Sequence, residues 1–245
     1  MQTFKALSDA EFRRLFPVLT GLSDVEVNRL CGRMSERRYQ AGDFLMRAGD
    51  CGQQVLFLAQ GRIRVVMGDE ESQSAVVAFR ASGELLGEIN ALSEGGYSAD
   101  VIAVQGCFAW SLSVDDFLEC LSVMPRLSFN VARLLAMRMR QATQQLHIAA
   151  TARTEERVAF SLHAFFAHDP SSRSNTLPAC VPISMNDLAS LSGCSREQLH
   201  RVLERMRKAG IIARTHGHVH VLDYEALKHF GKDDGKTSRA SCGND

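Results

Sequence analysis

The chain has 245 residues, 28 Lys plus Arg against 28 Asp plus Glu, 45% hydrophobic residues and 7% aromatic ones. That length suits two domains of ordinary size, and a neutral chain of average apolar content is neither disordered as a whole nor basic enough to announce a nucleic-acid partner, so any such signal must be local. The longest apolar stretches are too short to cross a bilayer, residues 1–12 lack a basic start followed by an apolar core, and the seven cysteines never fall in CxxC spacing. These features predict a cytoplasmic protein with no membrane partner, reduced thiols and no zinc knuckle.

In chain order, residues 39–112 alternate short β-branched and aromatic runs (55–58, 63–67, 75–79, 101–104, 108–112) with the glycines at 42, 49, 52, 61, 68, 83, 87, 95 and 96. Such turn punctuation predicts an all-β barrel or sandwich. From 125 to 152 glycine disappears, proline occurs only at the start, and Ala132, Leu135, Met139, Ala142, Leu146 and Ala149 recur at spacings of three and four. This is the seam of a coiled coil and predicts a parallel homodimer, with burial of the helix inside its own domain as the alternative. Val131, Leu134, Met137 and Ile148 lie off the seam and would pack on the β module. Arg126, Arg133, Arg138, Arg140 and Arg153 on the same stretch imply a solvated face or carboxylate partners elsewhere.

A short helix over 155–166 and a polar loop over 169–182 lead to the most informative segment. Ser184 with Asp187, and Ser195 with Gln198, resemble capping boxes, so two helices start eleven residues apart around a turn at Ser192, Gly193 and Cys194. Leu188, Leu191, Leu199, Val202, Leu203 and Met206 define the buried side, leaving Arg196, Glu197, His200 and Arg201 outward on the second helix. Two helices joined this way form the unit whose second member enters the major groove of DNA. Arginine pairs with the two acceptors of guanine and a carboxylate accepts from the cytosine amino group, so Arg196, Glu197 and Arg201 make a G·C reader. Between Ser195 and His220 six Arg and Lys stand against two Glu, a local basic excess. Residues 211–215 and 218–222 around His216 and Gly217 predict a β-hairpin, a wing beside the DNA backbone. His216, His218 and His220 alternate onto one strand face, but no carboxylate or cysteine completes a metal set, and none is expected. A helical hairpin with a charged face would explain the helix pair alone, not the cap, turn, helix and wing together. The tail over 232–245 reads as disordered.

The stretch Ser184-Met-Asn-Asp-Leu-Ala-Ser-Leu-Ser-Gly-Cys-Ser-Arg-Glu-Gln-Leu-His-Arg201 resembles the winged helix-turn-helix of the Crp/Fnr transcription regulators, and Ala41-Gly-Asp43, Arg47-Ala-Gly-Asp50 and Gly61-Arg-Ile63 resemble their cyclic-nucleotide-binding barrel. The resemblance covers most of residues 15–230. It implies an α+β chain: a jelly-roll antiparallel barrel with leading helices (1–124), a long dimerisation helix (125–152), a winged helix-turn-helix (153–231) and the tail. It further implies double-stranded DNA carrying a TGTGA-like inverted repeat as partner, RNA polymerase as a second, and Arg196, Glu197 and Arg201 as base readers, with Ser184, Ser195 and His200 at the same surface.

In that family the effector is held by the loop that here reads Gly87-Glu88-Ile-Asn-Ala-Leu-Ser-Glu-Gly-Gly-Tyr97-Ser98-Ala-Asp100. Gly87, Glu88 and Ser98 match, but Tyr97 stands where the family has its phosphate-binding arginine, and Asp100 adds a negative charge. Without that guanidinium a cyclic phosphate is poorly neutralised. The long helix offers only Thr143 of an adjacent hydroxyl pair. The expectation is therefore an effector other than cyclic AMP, or none, with a cyclic-AMP-responsive regulator as the alternative. No cofactor is expected: Cys31 is the only cysteine before Cys51, too few for an iron–sulfur cluster, and Cys107 and His147 are conceivable haem ligands that read more simply as ordinary residues. Cys194, in the turn before the reading helix, is expected to pack as a small hydrophobe, with a pKa lowered by the nearby helix start as the alternative. No catalytic motif points to an enzyme in the barrel pocket. A ligand-binding adaptor whose C-terminal module binds protein is the remaining alternative.

Overall fold

The computed structural model describes residues 9–68, 74–93, 95–167, 179–181, 183–215 and 218–231. They form two compact units, Met1–Gln141 and Ala142–Asp245. The expected turn residues His216 and Gly217 and the tail lie outside the described residues.

The first unit opens with helices α1 (Asp9–Leu15) and α2 (Asp24–Cys31), which a 3-10 turn at Pro17–Leu19 separates. Eight strands follow: β1 (Ser35–Tyr39), β2 (Phe44–Met46), β3 (Gln54–Gln60), β4 (Arg62–Met67), β5 (Ala75–Ala81), β6 (Glu84–Leu86), β7 (Asp100–Ala103) and β8 (Cys107–Ser113). They pair antiparallel into two four-stranded sheets, ordered β1-β8-β3-β6 and β2-β7-β4-β5, the two layers of a jelly roll. Helix α3 (Glu88–Ser93) interrupts the second half of the barrel, and α4 (Val114–Val123) leaves it.

The near-continuous apolar run of β3 has a physical reason. Successive side chains point to opposite faces of a strand. Val55, Phe57 and Ala59 therefore join the cluster with Phe12, Phe16, Leu30 and Phe117 outside the barrel, while Leu56 and Leu58 fill its interior with Met46, Ile63 and Val101. β8 divides the same way, Phe108 and Leu112 outward and Cys107 and Ala109 inward. A strand buried on both faces loses the polar alternation of a half-solvated one. β1 is the opposite case. Its sequence, Ser-Glu-Arg-Arg-Tyr, is almost wholly exposed at the sheet edge, where charge blunts unwanted pairing, so apolar patterning misses it.

Helix α5 (Pro125–Thr151) is continuous over 27 residues. Its first turns are anchored in the first unit: Leu127 and Val131 are buried, Leu134 and Leu135 pack half-buried on the outer cluster, and Asn130 donates to the carbonyls of Val18 and Thr20, each at 2.8 Å. Leu135, assigned to the seam, is half-buried and packs on the outer cluster of its own unit, and Met137, read as able to pack on the β module, is 52% exposed. One residue is 100° on a helix, enough to exchange the edges of two adjacent stripes.

The second unit comprises α6 (Thr154–Ala167), β9 (Ala179–Val181), α7 (Met185–Leu191), α8 (Arg196–Lys208), β10 (Ile212–Thr215), β11 (His218–Val221) and α9 (Tyr224–His229). The predicted hairpin exists, and β9 extends it to an antiparallel sheet ordered β10-β11-β9. Helix α6 packs against α7, α8 and α9. Their shared core holds Val158, Leu162, Leu188, Leu199, Leu203, Met206 and Leu227, each fully buried.

Candidate DNA-reading face and barrel loop

Two serine caps place α7 and α8. The Ser184 hydroxyl accepts from the Asp187 N–H at 3.0 Å, and Ser195 with Gln198 closes a reciprocal capping box, 3.2 Å one way and 3.0 Å the other. Between them Gly193 takes φ +58°, a left-handed conformation that a side chain would strain. The turn is held from behind by a residue the sequence reading overlooked. Arg157 of α6 donates from Nε to the Ser192 carbonyl and from Nη2 to the Gly193 carbonyl, both at 3.0 Å. Nothing in helical spacing marks a basic residue as an anchor for a distant turn.

With Leu199, Val202, Leu203 and Met206 inward, α8 leaves Arg196, Glu197, His200 and Arg201 exposed on its first two turns, and the cap residues Ser195 and Ser184 are exposed as well. Glu197 and Arg201 lie one turn apart, 76% and 75% exposed, and pair at 2.5 Å. A pair so open to solvent is worth little in stability. Each group keeps donors or acceptors that the pair does not use. Arg205, further along, pairs with Glu155, and Arg207 with Glu204, so these two of the three basic residues in the last turn are engaged within the unit. Of the histidine row, His218 is exposed and His220 half-buried, and no group of three metal-ligating side chains occurs among the described residues.

The barrel loop is organised differently. Glu88, at the start of α3, is 1% exposed and ion-paired to Arg138 of α5, which also binds Glu84 at 2.6 Å and donates to the Leu85 carbonyl at 2.7 Å. Burial works against the Arg138 charge, but the Glu88 and Glu84 carboxylates outweigh it and raise its pKa. Tyr97 folds inward, its hydroxyl donating to the Gln54 carbonyl at 3.1 Å, and burial pushes its pKa up. Its ring lies so close to Gly52 that a Cβ there would meet Tyr97 at 2.6 Å and the Asn90 amide at 2.3 Å. Asp100 accepts from the Ala48 N–H at 2.8 Å. Phe44, Arg47, Asp50, Gln54 and Tyr97 line a shallow cavity of about 300 Å³, to which Gly87, Glu88 and Ser98 do not contribute. Gly87 is half-buried, Ser98 exposed, and Thr143 lies exposed on α5 in the other unit.

On α5 the remaining seam residues Ala132, Met139, Ala142, Leu146 and Ala149 are exposed, Met139 at 73% and Leu146 at 71%. Cys107 is fully buried, its thiol donating to backbone carbonyls of Arg62 and Gln105, and burial pushes its pKa up to about 11. A neutral, enclosed thiol of this kind is a packing residue and not a ready haem ligand. Cys194 is half-buried, and burial raises its pKa, against the alternative of a thiol activated by the helix start.

The cyclic nucleotide-binding domain family matches residues 36–123, and the Crp-like helix-turn-helix domain family matches residues 156–230. Over 212 residues the chain is 30% identical to the cyclic AMP receptor protein of Thermus thermophilus, covering 86% of this chain and 95% of that protein. It is 23% identical over 190 residues to the cAMP-activated global transcriptional regulator Vfr of Pseudomonas aeruginosa, covering 76% and 88%. The solved structure of the c-di-GMP responsive global regulator CLP of Xanthomonas campestris shares the fold, with a TM-score of 0.70 at 20% identity over 82% of this chain and all of that one. No helix among the described residues is long and apolar enough to cross a membrane. A barrel followed by a helix-turn-helix, matched along nearly its whole length by such a relative, makes this chain a member of the Crp/Fnr family of DNA-binding transcription regulators.

Proposed function

We propose that the chain acts as a homodimer reading a TGTGA-like inverted repeat in double-stranded DNA, with Arg196, Glu197 and Arg201 at base edges, His200 beside them and Ser184 and Ser195 near the phosphates. The observation that carries the reading is the exposed first half of α8, capped by Ser195 and presenting two guanidinium groups around one carboxylate. The dimer rests on the exposed seam of α5, whose Met139 and Leu146 are costly to leave in water, whereas its alanines allow close approach. Two such heads would meet half-sites one helical turn apart, ~34 Å. At the promoter RNA polymerase is the expected second partner. A gel-shift titration of a TGTGA palindrome against scrambled DNA tests the reading: strong preference for the palindrome, weakened steeply by salt, is expected. Equal affinity for both sequences would overturn it.

For the input, the reading is an effector other than cyclic AMP, or none. It is supported by Tyr97, whose hydroxyl and ring are used inside the barrel, and by Glu88, whose carboxylate is taken by Arg138. A cyclic-AMP-responsive regulator is the second reading, favoured by the name of the 30% identical relative. Calorimetry decides between them: saturable binding of cyclic AMP that raises DNA affinity would establish the second.

A further inference from the structure

One contact joins the wing to the reading helix. Arg214 lies on β10, opposite Val219 of β11, and its guanidinium reaches across to α7 and α8. Nη1 stands 3.4 Å from Nδ1 of His200, and Nη2 stands 3.9 Å from the sulfur of Met185, the first residue of α7. A guanidinium has five N–H donors and no acceptor, and it stays protonated. The nitrogen it faces must therefore be the one that carries a lone pair. For a neutral imidazole this assigns the ring proton to Nε2. His200 is exposed on the face that also carries Arg196, Glu197 and Arg201.

We propose that Arg214 is a positioning residue for base recognition: by donating to Nδ1 it fixes His200 in the Nε2–H tautomer, so that this side chain offers DNA a donor. In that state His200 selects acceptors on the base edge, such as N7 or O6 of guanine, N7 of adenine or O4 of thymine. Without Arg214 the ring is free to take the other tautomer and accept from the amino groups of adenine or cytosine, which blurs the preference at one base pair. The wing then contributes to sequence reading through a side chain that need not touch a base. The inference rests on His200 facing DNA, as proposed above.

Two measurements test it on the full-length protein. In nitrogen-resolved NMR of ring-labelled protein without DNA, with the His200 signals assigned by their loss in His200→Ala, Nδ1 should be unprotonated and Nε2 protonated. Arg214→Met should turn this into a tautomer average. A protonated Nδ1 in the wild type, or a spectrum that Arg214→Met leaves unchanged, would overturn the assignment whether or not the protein reads DNA. In binding-site selection from a half-site library, Arg214→Met should relax preference at one base pair about 3- to 10-fold, the value of one hydrogen bond. In the His200→Ala background the same change should do nothing further. Uniform loss across all sequences with a shallower salt slope would make Arg214 a phosphate contact, and persistence of its effect without His200 would make it act alone. Either result refutes the proposal. If the wild type shows no sequence preference at all, the reading face itself falls, while the tautomer result still stands on its own.

Discussion

The barrel loop and the reading helix use the same chemical groups to opposite ends. In the loop, carboxylate meets guanidinium inside the fold: Glu88 is 1% exposed and Arg138 is mostly buried, its two Nη groups taken by Glu88, Glu84 and the Leu85 carbonyl while its Nε is left without an acceptor. On α8, Glu197 and Arg201 make a similar pair with three-quarters of each side chain in solvent. A buried pair is expensive to break and unavailable to a newcomer, whereas an exposed one costs almost nothing to rearrange around a ligand. Motif matching treats both as functional signatures. Burial separates them.

The comparison is broken most forcefully at Arg138. Arg138→Met leaves the buried Glu88 carboxyl without its ion-pair partner, and urea unfolding should show a loss of about 3–5 kcal/mol, recovered in large part by adding Glu88→Gln. The corresponding change on the helix, Arg201→Met, should alter stability by no more than about 0.5 kcal/mol. If the two losses were equal, the contrast between the regions would be void.

Next in size is the reading function. Arg196→Ala should weaken binding to the preferred palindrome by about 1–3 kcal/mol and relax discrimination at one guanine, measured by competition gel shift. A comparable loss, about 1–3 kcal/mol of fold stability, is expected for Gly52→Ala, because the new methyl group would press on Tyr97 and Asn90. Thermal unfolding checks this, and DNA selectivity should stay unchanged.

A smaller effect sharpens the picture of the barrel interior. Burial pushes the Cys107 thiol in the folded chain up to about 11 from an ordinary 9.0. Above pH 9 the unfolded chain releases this proton while the folded chain keeps it, so the contribution is complete below 9 and declines as pH rises through 11. Unfolding followed from pH 8 to 11 should show this decline, reduced in Cys107→Ala. At pH 8 a thiol reagent should modify the exposed Cys51 well before Cys107.

Much of this architecture is legible in the sequence because local chemistry and tertiary role coincide there. Ser195 and Gln198 are three residues apart and meet each other, and Gly193 supplies a backbone conformation that the turn demands. β3 and β8 are apolar because both of their faces are covered. What escaped has its cause in distance along the chain. Arg157 reaches a turn 35 residues away, and Arg138 reaches a carboxylate 50 residues away. Both are arginines on helices, where composition says only that they are charged. β1 escaped because an edge strand is built from polar residues.

The clamp behind the turn has an engineering consequence. Arg157 grips carbonyl oxygens, and Gly193 contributes backbone geometry alone, so the angle between α7 and α8 is written without reference to the letters that α8 displays. Scaffold and vocabulary are thereby uncoupled. On the reading proposed above, new operator alphabets can be installed at positions 196, 197 and 201 as one might change the type in a press, while the frame that holds the type stays as it is.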